Sequence, residues 1–171
     1  MAKHFSLREF QQGLSARLQA LANAPSADVS KLGVQAGGNL WLVDLIECRE
    51  VVTLPELIKV PLTRPWFSGV ANIRGVLYSI VDFSAFTGGE PTALGPDTRV
   101  LLVGQKLAAN CGILMDRMMG LRRFEQLQRV VGATPDAPWA GAEYTDNEGR
   151  RWKELRLRKL VEHTNFLQIG V

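Results

Sequence analysis

The stretch GVANIRGVLYSIVDF, Gly69 to Phe83, consists of two apolar runs separated once, at Asn72-Ile73-Arg74-Gly75. Two apolar runs joined by a short turn predict a pair of antiparallel strands. Gly75 permits backbone angles that a side chain would penalise, and the Asn72 side chain can hydrogen-bond to nearby backbone. Most hairpin turns need only small residues, so the turn does not account for the large cation Arg74.

The composition is that of a globular protein rich in turns. The chain has 171 residues, of which 46% are hydrophobic and 22% charged, with 16 Gly and 8 Pro. Frequent Gly and Pro favour a β-rich fold over a helical bundle. No apolar run approaches the ~18 residues that a membrane span requires, and the N-terminus lacks a signal-peptide core. We therefore expect a cytoplasmic protein.

Residues 1–30 are predicted to form an N-terminal helix and a linker. Ser6-Leu7-Arg8-Glu9 has the spacing of a capping box. Apolar residues then follow at steps of three and four, which predicts one apolar helix face: Leu7, Phe10, Leu14, Leu18 and Leu21. The polar stretch NAPSADVS reads as a linker. This helix is expected to dock on the body of the protein or on a partner.

Residues 31–171 form the body, which is predicted to be mainly all-β. Short alternating or apolar runs between Gly- and Pro-rich breaks indicate many short strands, and residues 156–167 have near-helical apolar spacing, which predicts a short closing helix. The second half loosely repeats the first, with a boundary near residues 85–98. Two small β-barrels side by side satisfy this pattern and leave no exposed sheet edge.

Catalytic chemistry has no evident place in this sequence. The only histidines are His4, near the terminus, and His163, on the closing helix. Familiar nucleophile, nucleotide and zinc motifs are absent, and the aspartates that end apolar runs are scattered. Cys48 and Cys111 lie far apart in apolar surroundings and are read as reduced, buried thiols. We predict no enzyme activity, no cofactor and no metal site.

Nucleic-acid binding is the alternative that the residues themselves suggest. Residues Arg150–Lys159 contain six Lys or Arg against one Glu, with Trp152 among them. A single-strand surface would need exposed aromatic side chains beside such cations. A solvated basic face next to a core tryptophan explains the same residues.

The opening stretch closely resembles the signature of the CheW family, the adaptors of bacterial chemosensory arrays. In that signature Gly-Val-x-Asn-x-Arg-Gly precedes an apolar run that ends in Asp. The flanking sequence is similar too: WLVDLIECREVV and KVPLTRPWFSG upstream, TRVLLV and CGILMDRMMGL downstream. The resemblance covers about residues 31–162. Within the family, the N-terminal helix and short tail look most like the adaptors that serve type IV pili and twitching motility.

The resemblance implies two five-stranded β-barrels and a non-catalytic adaptor. Family members bind the cytoplasmic tip of a methyl-accepting chemoreceptor in the groove between their lobes. They bind the regulatory domain of a CheA-type histidine kinase through an apolar surface of the first lobe. Such a protein would be recruited to membrane-associated receptor arrays without entering the membrane.

The register of the resemblance assigns candidate residues to both partners. The receptor-facing set is Arg74, Asn72, Cys48, Glu50 and Arg99. The kinase-facing set is Leu45, Val51 and Pro55. Gly75 is expected to serve the turn alone.

Each receptor candidate also has a structural explanation. Arg74 could instead form an internal salt bridge that ties down its own loop. Cys48 could belong to the core, Glu50 could be a solvated strand residue, and Arg99 could pair with Asp97 or Glu90.

Two positions depart from the family pattern. Ser79 stands where the signature commonly has Pro, which restores an N–H donor inside the strand. Arg99 replaces a residue that is typically apolar in the groove, which suggests a receptor tip of different charge.

Overall fold

A computed structural model describes residues 30–107 and 110–171, and the predicted N-terminal helix lies outside these ranges. The described part is mainly β. Its elements are β1 Ser30–Ala36, β2 Asn39–Asp44, β3 Cys48–Thr53, β4 Phe67–Ile73, β5 Val76–Asp82, α1 Phe83–Phe86, β6 Arg99–Val103, β7 Cys111–Met115, β8 Arg117–Arg123, β9 Leu127–Arg129, β10 Ala140–Asp146, β11 Arg151–Leu155, α2 Leu157–Val161 and α3 Thr164–Leu167. Short 3₁₀ turns occur at Gln105–Leu107 and Phe124–Gln126.

These strands form two sheets. One has six strands in the order β8-β1-β2-β11-β10-β9, and the other has five in the order β3-β6-β7-β5-β4. The predicted fold class is confirmed, with one strand more than expected in the first sheet. Both ends of the body meet in that sheet, because β11 pairs in parallel with β2.

The predicted lobe boundary near residues 85–98 does not coincide with a change of sheet. Strand β6, which follows this segment, pairs with β3, and β7 pairs with β5. The Pro- and Gly-rich composition marks a loop, but a loop can connect two strands of one sheet as readily as two lobes.

A shared core lies between the two sheets. It contains Leu32, Val34 and Val43 of the six-stranded sheet together with Leu101 and Ile113 of the five-stranded sheet. Each sheet also has its own smaller core on its other face. The five-stranded sheet encloses Tyr78, Ile80, Leu102 and their neighbours, and the six-stranded sheet encloses a cluster around Trp152. The body is therefore two lobes that share one central layer.

Strand β5 uses the N–H donor that Ser79 restores. The Ser79 N–H donates to the Asn110 carbonyl at 3.0 Å, next to the parallel pair Ser79–Cys111. A proline could not make this bond. The irregularities in this sheet lie elsewhere, between Cys48 and Glu50 on β3 and between Phe67 and Gly69 on β4.

The single closing helix predicted for residues 156–167 is two short helices, α2 and α3. The chain between them is extended at His163, whose Nδ1 accepts a hydrogen bond from the Asn165 N–H at 3.3 Å and caps α3. Because a capping residue needs non-helical backbone angles, the helix cannot continue through it. The apolar spacing reflected two buried helix faces rather than one.

No helix in the described part of the chain is both long and apolar enough to cross a membrane. Cys48 and Cys111 are both free thiols, as predicted. Burial raises the pKa of each to about 12, so both remain protonated at neutral pH.

Candidate functional site

The loop between β4 and β5 is a two-residue turn, because Ile73 pairs with Val76. Its central residues both have positive φ, 53° at Arg74 and 83° at Gly75. This is the type I′ arrangement, whose twist matches that of the flanking strands. The Asn72 Oδ1 accepts a hydrogen bond from the Gly75 N–H at 2.8 Å. The local roles expected of Asn72 and Gly75 are therefore the ones observed.

Arg74 itself adopts the left-handed conformation. For a residue with a Cβ atom this costs on the order of 1 kcal/mol, which is why Asn and Gly dominate the position. The cost is unnecessary for making the turn, since glycine would avoid it. Strained residues of this kind cluster at functional sites, which makes Arg74 a candidate for a role beyond the turn.

The Arg74 guanidinium makes a two-pronged ion pair with Glu50 on β3. Nη1 donates to Glu50 Oε2 at 2.7 Å and Nη2 donates to Oε1 at 2.6 Å. The hydrogen bonds and charge of Glu50 raise the pKa of Arg74 above its ordinary value. The internal salt bridge, one of the two readings left open by the sequence, is thus present in the structure.

This ion pair bridges the two ends of the five-stranded sheet. Strand β3 lies at one edge and β4, which leads into the turn, lies at the other. The Glu50–Arg74 contact therefore brings the edges together and helps curl the sheet. Because the pair is exposed, it adds only about 0–1 kcal/mol to stability.

The ion pair leaves most of the Arg74 side chain available. Its exposed fraction is 66%, against 29% for Glu50. Two of the five guanidinium donors are used by Glu50, so others remain for an acceptor on a partner. Geometrically, an internal salt bridge and a partner contact are compatible at this residue.

The other receptor-facing candidates are only partly brought together. Cys48 lies two residues before Glu50, beside a β-bulge, and it is half-buried against the central core. Arg99 pairs with Thr53 at the far end of the β3–β6 ladder. Glu50 and Arg74 are in contact, Cys48 lies near them, and Arg99 stands apart along the strand.

Arg99 does not pair with either carboxylate considered for it. Its guanidinium donates to the carbonyls of Pro96 and Thr98, at 2.6 and 2.9 Å. These bonds hold the Arg99 side chain back along the loop that precedes β6.

The kinase-facing candidates are all partly buried. Leu45 and Val51 pack against the central core, and Pro55 follows β3. Other apolar side chains between β3 and the end of β5, which the sequence did not single out, are more exposed: Ile58 at 58%, Leu62 at 82% and Leu77 at 58%. Nothing in the sequence distinguishes these from core residues, because apolar identity does not report which face a side chain occupies.

Asp82, the aspartate that follows the second apolar run of the opening stretch, has a structural role. It is buried, caps α1 by accepting from the Ala85 N–H, and binds both the backbone N–H and the hydroxyl of Thr92. It therefore anchors the loop after α1 to β5. An aspartate immediately before a short helical turn is an N-cap signal, which could have indicated this role.

The basic stretch Arg150–Lys159 lacks the features of a nucleic-acid surface. Trp152 is fully buried and unavailable for stacking. Several cations already have carboxylate partners: Arg150 contacts Asp146 and Glu148, and Lys153 contacts Asp136 at 2.6 Å. Within residues 30–107 and 110–171, no cluster of three or more potential metal ligands occurs.

Comparison with known proteins relates this chain to a family, to a curated relative and to a solved structure. The family model described as CheW-like domain matches residues 31–164. Protein PilI of Pseudomonas aeruginosa PAO1 is 28% identical over 170 residues, covering 96% of this chain and 90% of PilI. The crystal structure of the scaffolding protein TtCheW from Thermoanaerobacter tengcongensis has the same fold. Its TM-score is 0.68 at 17% identity, covering 81% of this chain and 96% of TtCheW.

Proposed function

The chain belongs to the CheW-like domain family, and from this we propose that it is a non-catalytic adaptor of a chemosensory array. In this role it couples the cytoplasmic tip of a methyl-accepting chemoreceptor to a CheA-type histidine kinase. Similarity to PilI over nearly the whole chain supports an array that controls type IV pili and twitching motility. The adaptor would be held at the membrane by its receptor.

The observation that carries the proposal is the turn at Arg74. A strained, two-thirds exposed arginine projects from a two-residue turn between rigid strands and keeps guanidinium donors free. A receptor tip is a helical hairpin whose turn exposes carbonyls and carboxylates, which are acceptors for such donors. Arginine is also among the residues whose truncation most weakens interfaces.

We infer that Arg74, Glu50 and Asn72 form the centre of the receptor-binding surface. Glu50 orients the guanidinium, and Asn72 fixes the turn that carries it. Cys48 contributes through its position beside Glu50, and Arg99 lies at the periphery. The kinase would dock on the apolar surface of the five-stranded lobe, where Leu45, Val51 and Pro55 are partly exposed.

The first experiment is affinity capture of the tagged protein from its host, with and without nuclease, followed by mass spectrometry. Recovery of a histidine kinase and a methyl-accepting receptor in both samples is the expected result. Loss of all bound material after nuclease treatment would instead favour the basic stretch Arg150–Lys159 as a nucleic-acid site.

The second experiment separates the partner contact of Arg74 from its internal ion pair. Arg74→Glu should fold normally, judged by circular dichroism and thermal unfolding, and should lose receptor binding. The double variant Glu50→Arg with Arg74→Glu re-forms an ion pair of reversed polarity. We expect receptor binding to stay lost in the double variant, because the cation is no longer at position 74.

The matched control is Arg151→Glu, an exposed arginine on β11 in the basic stretch. It should leave receptor binding intact. If the reversed pair restores binding, Arg74 acts only by tying its loop to β3. Loss of binding in Arg151→Glu would show that overall charge, not the turn, governs the interaction.

A further inference from the structure

The apolar layer of the central core continues past β1 onto the edge strand β8. Leu32 pairs with Leu121 and Val34 pairs with Met118, and directly paired residues on antiparallel strands share a face. Leu32 and Val34 are buried in the core, but Leu121 is 45% exposed and Met118 is 41% exposed. The core face therefore reaches the sheet edge without a complete cover.

Strand β8 is an open edge over its full seven residues, since it pairs only with β1 in the described part of the chain. Phe124, directly after β8, does not extend this surface, because it packs against Tyr144 on the other face of the sheet. We call Met118 and Leu121 the β8 apolar strip. Long edges with exposed apolar side chains promote aggregation, and proteins commonly cover them with a helix or loop.

Residues 1–29 are joined to the body through Ser30, the first residue of β1, which pairs with Arg123 at the end of β8. The sequence of this segment carries apolar residues at helical spacing from Leu7 to Leu21. An amphipathic helix of this kind needs an apolar surface against which to bury that face.

The dimensions agree. As a helix, the stretch from Leu7 to Leu21 would extend about 21 Å, and a seven-residue strand such as β8 extends about 20 Å. Residues 22–29 could span up to about 28 Å when extended, enough to place the helix anywhere along β8. The same chain can therefore supply the cover.

We propose that the N-terminal segment docks on its own body along β8, with its leucine face on the β8 apolar strip. Docking buries Met118 and Leu121 and shields the edge strand. It leaves the opposite, polar face of the segment toward solvent. This proposal does not depend on the identity of the signalling partners.

Hydrogen–deuterium exchange of the full chain tests the proposal. The double variant Leu14→Asp with Leu18→Asp places two charges on the apolar face. It should raise exchange roughly tenfold or more both in residues 7–21 and in residues 117–123, because both lose their cover. The reciprocal variant Leu121→Asp, on the body, should raise exchange in residues 7–21.

The matched control is Gln12→Asp with Ala16→Asp, which adds the same charges at the same spacing on the polar side of the predicted helix. It should leave exchange in residues 117–123 unchanged. Unchanged exchange of β8 in the leucine-face variant would overturn the proposal. Protection that disappears on dilution would also overturn it, because a second copy, rather than the same chain, would then cover β8.

Discussion

Two turns of the molecule share a backbone shape but differ in side chains. Between β1 and β2, Gly37 and Gly38 occupy a two-residue turn with φ of 57° and 74°. Between β4 and β5, the same left-handed geometry is occupied by Arg74 and Gly75. Glycine adopts this conformation without a Cβ penalty, whereas arginine does not. The comparison shows what the chain uses when only a turn is needed, and so singles out Arg74 as a residue present for another purpose.

The largest effect that tests this comparison comes from Arg74→Gly, which converts the second turn into a copy of the first. Removing the left-handed Cβ gains about 1 kcal/mol, and this roughly offsets the lost ion pair and the added flexibility of the unfolded chain. Stability should change by less than about 1 kcal/mol. Affinity for a signalling-domain fragment of the receptor should fall about 30-fold or more, as for an interface hot spot.

Chemical denaturation and a binding titration measure these two quantities on the same preparation. A fall in stability of several kcal/mol with unchanged affinity would reverse the assignment. Arg74 would then be a residue of the fold.

The second-largest effect is a loss of stability on replacing turn glycines by alanine, which depends on how closely each turn is packed. A Cβ added at Gly37 would approach the Ser84 Oγ to 2.8 Å, whereas one added at Gly75 or Gly38 meets nothing within 4 Å. Ser84 is buried, and its hydroxyl donates to the Glu90 carbonyl at 2.6 Å, so it cannot move freely. We expect Gly37→Ala to cost about 2 kcal/mol, and Gly75→Ala and Gly38→Ala about 1 kcal/mol each.

Urea unfolding of the three alanine variants provides the measurement, and Gly38→Ala is the matched control within the same turn. Equal losses at all three positions would mean that Ser84 yields to the new methyl group. A negligible loss at Gly75 would be inconsistent with a left-handed residue there, and with the strain we assign to its neighbour Arg74.

The sequence predicted the turns and most strands because alternation and turn residues are local signals. The hairpin of β4 and β5, the free thiols and the use of Asn72 and Gly75 all follow from a few adjacent residues. The features that the sequence did not predict depend on contacts between residues that are distant in the chain. The pairing of β11 with β2 cannot be read from either strand alone, so the sequence did not show that strands from the two ends of the body join in one sheet.

The candidate site shows the same limit. Local reasoning showed that Arg74 projects from a turn, but left open whether its partner was internal or external. The ion pair with Glu50 spans 24 positions of sequence and depends on the curl of the sheet. Local patterns likewise could not show that Trp152 is buried, because its neighbours in sequence are charged and its contacts come from other strands.

The smallest effect we expect concerns a third turn, between β10 and β11, where a charged residue does serve the turn itself. Desolvation favours the neutral acid at Asp146, but hydrogen bonds from Trp152 and Arg150 outweigh it and lower the pKa from 3.8 to about 2. The folded state therefore favours the ionised carboxylate, and the resulting stability is present above about pH 4 and lost as the pH falls towards 2. Unfolding free energies measured from pH 5 to 2 should fall more steeply for the wild type than for Asp146→Asn, so the gap between the two curves should narrow in acid. Parallel curves would mean that the charge of Asp146 does not stabilise its turn. Asp146 would then resemble Arg74, whose charge we infer to be unnecessary for the turn that it occupies.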